Sequence, residues 1–253
     1  MNVNAIKTPL VKKGDDLFKV ITMSVDKIPE KSVLVIASKI ISFCQHSFVK
    51  KTSLKREEKH KLIKKEADFY LEPHSSKYNL MFTIKNSVLA INAGIDESNA
   101  NGDYVLWPKD LQLTTNKIWR FLKKQYSVKN IGVIVTDSKA LPLRWGVIGM
   151  AISHCGFKSL YDYENCKDLF GRRLKMTKIN VTEAIAVAAA LEMGEVAERT
   201  PLGLVQNIKK IEFQNRPPTK KELASLTIDK KDDVYGPLLN SVKWKKGKNK
   251  GNF

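Results

Sequence analysis

Cysteine is scarce in this chain: 253 residues carry three, Cys44, Cys155 and Cys166. An odd, widely spaced set supports neither a disulfide framework nor a zinc-type cluster, and it points to a reducing compartment. Long apolar runs are missing too. No stretch approaches the roughly 20 residues needed to span a bilayer, and residues 1–13 hold no apolar signal-peptide core. The chain therefore reads as cytoplasmic, with no membrane partner. No Gly-x-x-x-x-Gly-Lys-Ser/Thr phosphate loop and no Gly-x-Gly-x-x-Gly fingerprint occurs. The histidines, His46, His60, His74 and His154, lack metal-ligand spacing. His154 next to Cys155 makes a poor nucleophile pair, because adjacent residues rarely face each other. There is no internal repeat.

Acidic residues are in the minority. Asp and Glu number 26 against 44 Lys and Arg, a net charge of +18. Such a balance suits nucleic acid, a membrane surface, phosphorylated anions, or simply a lysine-rich surface. The lysines are spread along the chain, and no nucleic-acid motif accompanies them, so nucleic acid is set aside as the main partner. Glu57, Glu58 and Glu66 within the run 50–65 mark a solvated helix face. The run 243–250 reads as a flexible tail. With 43% hydrophobic and 28% charged residues, the chain has enough apolar material for a real core.

Local pattern predicts strands at 2–6, 32–37, 80–84, 87–91, 103–107, 130–136 and 201–205, and helices beginning near Leu17 and Ser38 and spanning 55–71, 114–126 and 181–193. Lys85-Asn86 is the expected hairpin turn. From Arg216-Pro217-Pro218 onward, proline and charge mark an appended piece.

Two strands deliver aspartates. The run 87–91 leads into Asn92-Ala93-Gly94-Ile95-Asp96-Glu97-Ser98-Asn99, and 130–136 is predicted to end at Asp137-Ser138. Carboxylates and hydroxyls at strand ends can serve a magnesium–nucleotide site; they are also ordinary turn and cap residues. Ser38-Lys39, at a strand-to-helix junction, suits either an anion or a plain N-cap. Arg172 can bind phosphate or carboxylate, or pair with Asp168. Glu195, past the helix-ending Gly194, is a third carboxylate or an exposed one.

Taken in order, these segments resemble a known family. The motif at 92–99, then Val133-Ile134-Val135-Thr136-Asp137-Ser138, Arg144-x-Gly146-x-x-Gly149-x-Ala151-Ile152, Lys167-Asp168-Leu169-Phe170-Gly171-Arg172 and Met193-Gly194-Glu195 resemble the γ-glutamyl ligases of the deazaflavin coenzyme F-420, as does the segment 10–17. The likeness covers about residues 5–210. It implies an α+β, mixed-sheet fold assembled as an intertwined homodimer, with a ligase-like domain of one or two sub-domains over 1–210 and a Pro- and Lys-rich extension over 211–253. The implied reaction joins L-glutamate to a carboxylate-ended acceptor (F-420-0-like) through an acyl phosphate, at the expense of GTP and with Mg2+ or Mn2+. A folate ligase of the same chemistry and a non-catalytic nucleotide-binding member are the alternatives. Carried over by position, Asp96 and Asp137 are the implied catalytic and metal-binding residues, joined at the metal by Ser138 and Glu195. Thr8, Pro9, Leu10, Ser38, Lys39, Asn99, Met193 and Gly194 are the implied nucleotide contacts. Arg144 and Arg172 are candidates for acceptor or phosphate. Two departures stand out: Phe43 replaces a family lysine, and Ala140-Leu141 replaces Gly-Arg.

Overall fold

The computed structural model describes residues 1–249. In chain order the elements are β1 (Asn2–Ile6), α1 (Leu17–Ser24), β2 (Ser32–Ala37), α2 (Ser38–Cys44), β3 (Phe48–Lys50), α3 (Arg56–Glu66), β4 (Phe69–Tyr70), β5 (Phe82–Lys85), β6 (Val88–Ile91), β7 (Asp103–Val105) and α4 (Leu111–Gln125). They continue as β8 (Ile131–Ala140), β9 (Val147–Cys155), β10 (Leu160–Asp162), β11 (Lys178–Asn180), α5 (Val181–Met193), β12 (Leu202–Gln206), α6 (Lys220–Ala224), α7 (Gly236–Asn240) and β13 (Lys245–Lys246).

The central sheet has the order β1-β12-β2-β8-β9. Only β2 and β8 run parallel, in register from Ser32 opposite Ile131 to Ala37 opposite Thr136. Both are runs of β-branched and apolar residues because both faces of the sheet are covered. On one face Leu34, Ile36, Val133 and Val135 meet Ile21, Ile41, Ile118 and Leu122 from α1, α2 and α4. On the other, Val33, Val35 and Ile134 meet Ile185, Ala186 and Ala189 of α5. The alanines of α5 permit close approach: a Cβ on Gly149 of β9 would lie 2.4 Å from the Ala186 carbonyl. The fold is thus α+β with a mixed sheet.

A smaller sheet, β13-β4-β5-β6, carries α3. Its β5–β6 hairpin turns at Asn86 and Ser87, both at positive φ (50° and 60°), as a two-residue turn that matches strand twist requires. The motif 92–99 leaves β6 directly.

Several boundaries differ from the pattern-based expectation. The helix predicted over 55–71 stops at Glu66, because Phe69 and Tyr70 pair with Ile84 and Thr83 of β5. Sheet pairing of two aromatics outweighs the weak pull of a charged helix with little apolar face. The strand predicted to end before Asp137 continues to Ala140, since β9 folds back on it antiparallel, with a register shift between Val135 and Thr136. The lysine run read as a flexible tail is ordered where it is described. Lys245 and Lys246 pair with Tyr70 and Phe69, and Gly247 N–H donates to the Asp68 carbonyl at 2.7 Å. Lys250–Phe253 lie outside the described residues. No helix among the described residues is long and apolar enough to cross a membrane.

Candidate functional site

Parallel pairing of β2 with β8 sets their carboxyl ends side by side. Ala37-Ser38 therefore stands next to Thr136-Asp137, and the Ala37 N–H donates to the Pro201 carbonyl at 2.9 Å, which brings the start of β12 to the same edge. Carboxyl ends of strands are where open α/β sheets place ligands. A cleft of about 1090 Å³ opens there. Thr8, Pro9, Leu10, Ser38, Lys39, Asp96, Asn99, Asp137, Ser138, Met193, Gly194 and Glu195 all line it. Arg144 and Arg172 do not. Arg144 sits in the exposed β8–β9 turn and donates to the Leu143 carbonyl at 3.0 Å. Arg172 uses its backbone N–H, not its guanidinium, to reach Asp168 (2.9 Å). The pairing reading of Arg172 is thereby corrected: Asp168 closes the turn through backbone donors.

The motif 92–99 is a bracket. Asn92 accepts the Met81 N–H (2.9 Å), and the Ala93 N–H donates to Thr83 Oγ1 (2.8 Å), which fixes the chain after β6. Asp96 then bridges to Val105 through both backbone groups (3.0 and 2.8 Å). Its Oδ1 accepts the Glu97 and Ser98 N–H groups (2.6 and 2.8 Å), an Asx-type turn. Glu97 points away from the cleft and binds Lys51 and Lys59 (2.8 and 2.7 Å). Asn99 Nδ2 donates to the Val196 carbonyl (2.7 Å), tying this loop to the segment after α5.

Lys39 lies 2.5 Å from Asp96 Oδ2 and donates to both Ser98 oxygens at 2.9 Å. Burial pushes the Asp96 carboxyl up, but the Lys39 ammonium and the Ser98 donors outweigh it, and the net direction is down. Asp137 goes the other way. Burial raises its carboxyl against the pull of Trp107, whose indole N–H donates to Oδ2 at 2.5 Å, and the Asp96 charge raises it further. The two acids therefore sense each other electrostatically. Ser138 Oγ donates to Glu195 Oε2 at 2.7 Å. Ser38 makes no cap bond; Ala37 is the N-cap residue and Ser38 is a buried first helical residue.

Magnesium in nucleotide sites takes one or two carboxylates, waters and phosphate oxygens. Two carboxylates and a hydroxyl opening on one cleft fit that donor set. Among the described residues no group of three or more His, Cys, Asp or Glu side chains is placed to hold a metal ion, so an all-protein cage is not present.

Pattern reading missed several residues at or behind the cleft. Lys12, Lys13 and Arg199 also line the cleft. Arg199 donates to the Thr8 carbonyl (3.1 Å) from a left-handed backbone, φ 62°. Lys13 pairs with Asp103 and lies 4.6 Å over the Phe48 ring. Trp107 was visible only as the end of a strand before Pro108. Its partner Asp137 is 30 positions away, and no local signal reports that pairing.

The chain is similar in sequence to known proteins. Residues 5–207 match the family model described as F420-0:gamma-glutamyl ligase. Proteins named Coenzyme F420:L-glutamate ligase are similar over most of their length. The one from Methanococcus maripaludis is 29% identical over 93% of this chain and 97% of its own. Those from Archaeoglobus fulgidus and Methanopyrus kandleri are 33% and 31% identical over 79% of this chain and 84% and 83% of theirs. With the family model matched across the central sheet and every cleft segment, this chain belongs to the F420-0:gamma-glutamyl ligase family.

Proposed function

We propose that this protein is a GTP- and divalent-cation-dependent γ-glutamyl ligase, which forms an amide between a carboxylate-ended acceptor of the F-420-0 type and L-glutamate. The observation that carries this reading is that Asp96, in the loop after β6, and Asp137, in β8, line one cleft with Ser38, Asn99 and the Met193-Gly194 segment. The acceptor carboxylate attacks the γ-phosphorus of GTP, GDP leaves, and an acyl phosphate forms. The glutamate amine then attacks the acyl carbon, phosphate departs with its electron pair, and the nitrogen loses a proton.

A bound Mg2+ or Mn2+ neutralises phosphate charge. Asp96, Asp137 and Ser138 would hold it, with Glu195 accepting the Ser138 hydroxyl beside them. The protein's own part is placement. Lys39 supplies a cation beside Asp96, and Asn99 and Thr8 present polar groups along the cleft wall. Phe43 also lines the cleft, in the place of a family lysine, so the phosphates rely on Lys39, Lys12 and Arg199.

The reading includes a homodimer. Leu143 and Trp145 in the β8–β9 turn, with Leu169 and Phe170 in the loop before β11, are each 95–98% exposed. Large apolar side chains in such number call for a covering surface, and Arg144 and Arg172 lie among them. Sedimentation that gives only monomer at micromolar concentration would refute this part.

The direct test supplies GTP, manganese, labelled glutamate and either a deazaflavin or a folate acceptor. Label transferred to an acceptor with matching GDP release is the expected result. GDP release that ignores every acceptor, or GDP binding without turnover, would remove the ligase reading.

A further inference from the structure

Trp107 is outside the cleft lining yet touches its most enclosed acid. The ring is buried, 5% exposed, and its Nε1–H donates to Asp137 Oδ2 at 2.5 Å. It is braced on several sides. The Ser47 hydroxyl donates to its backbone carbonyl (2.9 Å). Ala90 of β6 and Met150 of β9 pack with it, and Met150 is the cross-strand partner of Asp137. Lys85 Nζ stands 5.5 Å from the ring centroid and is itself buried, held by Glu66 at 3.1 Å. The motif glycine completes the seat: a Cβ on Gly94, at φ +70°, would lie 2.1 Å from the indole nitrogen and 2.3 Å from Cε2. Gly94 is therefore required as much by the indole as by the turn.

We infer that Trp107 is a positioning residue: its indole holds Asp137 in one orientation and takes up Oδ2, so that the carboxylate meets a cation in the cleft through its other oxygen. The inference rests on the metal reading proposed above. Indole N–H is a donor only and carries no charge. It orients a carboxylate without competing for it, whereas a lysine in that place would neutralise the charge the cation needs. Partners that orient metal-ligating carboxylates typically contribute 10- to 100-fold in metal affinity, by general experience with such sites. The same indole links the hairpin sheet, through Lys85 and Glu66, to β8. Trp107 thus gives the smaller sheet a part in shaping the site.

The test titrates Mn2+ into the full-length protein and follows free Mn2+ by electron paramagnetic resonance. Trp107→Phe keeps an aromatic ring and removes the N–H. Incorporation of β-(3-benzothienyl)alanine at position 107 keeps the bicyclic shape with sulfur in place of N–H, and serves if the phenylalanine variant fails to fold. The expected result is a Mn2+ dissociation constant raised about 10-fold or more in either protein, with the thermal midpoint of the benzothienyl protein close to the parent's. Unchanged Mn2+ affinity, with or without a lowered midpoint, would mark Trp107 as packing alone and overturn the inference. If the parent protein itself fails to bind Mn2+, the metal reading falls and takes this inference with it, a result distinct from the first.

Discussion

Replacing Lys39 by methionine separates a structural ion pair from a ligand-binding one. Lys39 and Asp96 are 2.5 Å apart with side chains 26% and 43% exposed. An exposed pair of this kind contributes roughly 0.2–1 kcal/mol to stability, so the variant should lose no more than about 1 kcal/mol. Asp96 keeps its burial but loses its largest favourable partner, so its carboxyl should rise. A carboxyl held low when folded adds stability above its unfolded pKa, and this is lost as pH falls through the folded value. Lys39→Met should therefore flatten the acid limb of stability. The effect on ligand is larger. With Phe43 in the wall, Lys39 is the cation next to Asp96, and a charge-assisted hydrogen bond contributes about 1.5–3 kcal/mol. GDP affinity should fall about 10- to 150-fold, while Mn2+ alone, freed from a competing ammonium, should bind at least as tightly as before. Calorimetric titration with GDP, with Mn2+, and thermal unfolding measure all three. GDP affinity unchanged within about threefold, a change under 1 kcal/mol, would refute the assignment. So would a stability loss well above the surface-pair range.

Other perturbations follow from the same geometry. Phe43→Lys should restore a cleft cation and tighten GDP binding, with the gain shrinking as salt rises; equal affinity at low salt would count against the cleft as a phosphate site. His154 is buried, and burial lowers it to about 4. The unfolded chain binds its proton first, so stability should fall as pH drops from about 6.5 to 4, by about 3 kcal/mol when complete. His154→Gln should flatten that slope in a urea-unfolding series, and an unaltered slope would contradict it. Removing residues 243–253 strips β13 from β4 and takes Lys245 from Glu72, whose carboxyl hydrogen bonds to Lys245 and Lys64 hold down to about 2. Amides of the β4 strand should then exchange faster, leaving those of β2 and β8 unchanged; equal slowing or quickening of both sheets would refute a local role for the tail.

Much of the fold is legible because much of it is local. Residues 32–37 and 181–193 announce themselves by β-branched content in one case and alanine-rich helix formers with a glycine stop in the other, and both elements have the expected ends. Residues 69–70 and 245–246 do not, because their structure comes from pairing with distant chain. Asp137 was expected beyond a strand end; it lies inside β8, because a strand that is apolar only to Thr136 still pairs onward with β9. The parallel β2–β8 register sets 38–39 beside 137–138, while long-range bonds between Thr8 and Arg199, Asp96 and Val105, and Asn99 and Val196 bring in the remaining segments, and no local pattern encodes either. The segments that the resemblance named for nucleotide and metal line one cleft. Trp107 and Arg199 were beyond it, since each bonds a partner far along the chain.

One measurement reaches the central claim: crystals grown or soaked with GDP and MnCl2, with the metal located by its anomalous scattering. The expected result is a manganese peak coordinated by both Asp96 and Asp137, with the nucleotide phosphates on its cleft side against Lys39. A manganese bound to one of these carboxylates and not the other, or a nucleotide seated outside the cleft, would contradict it.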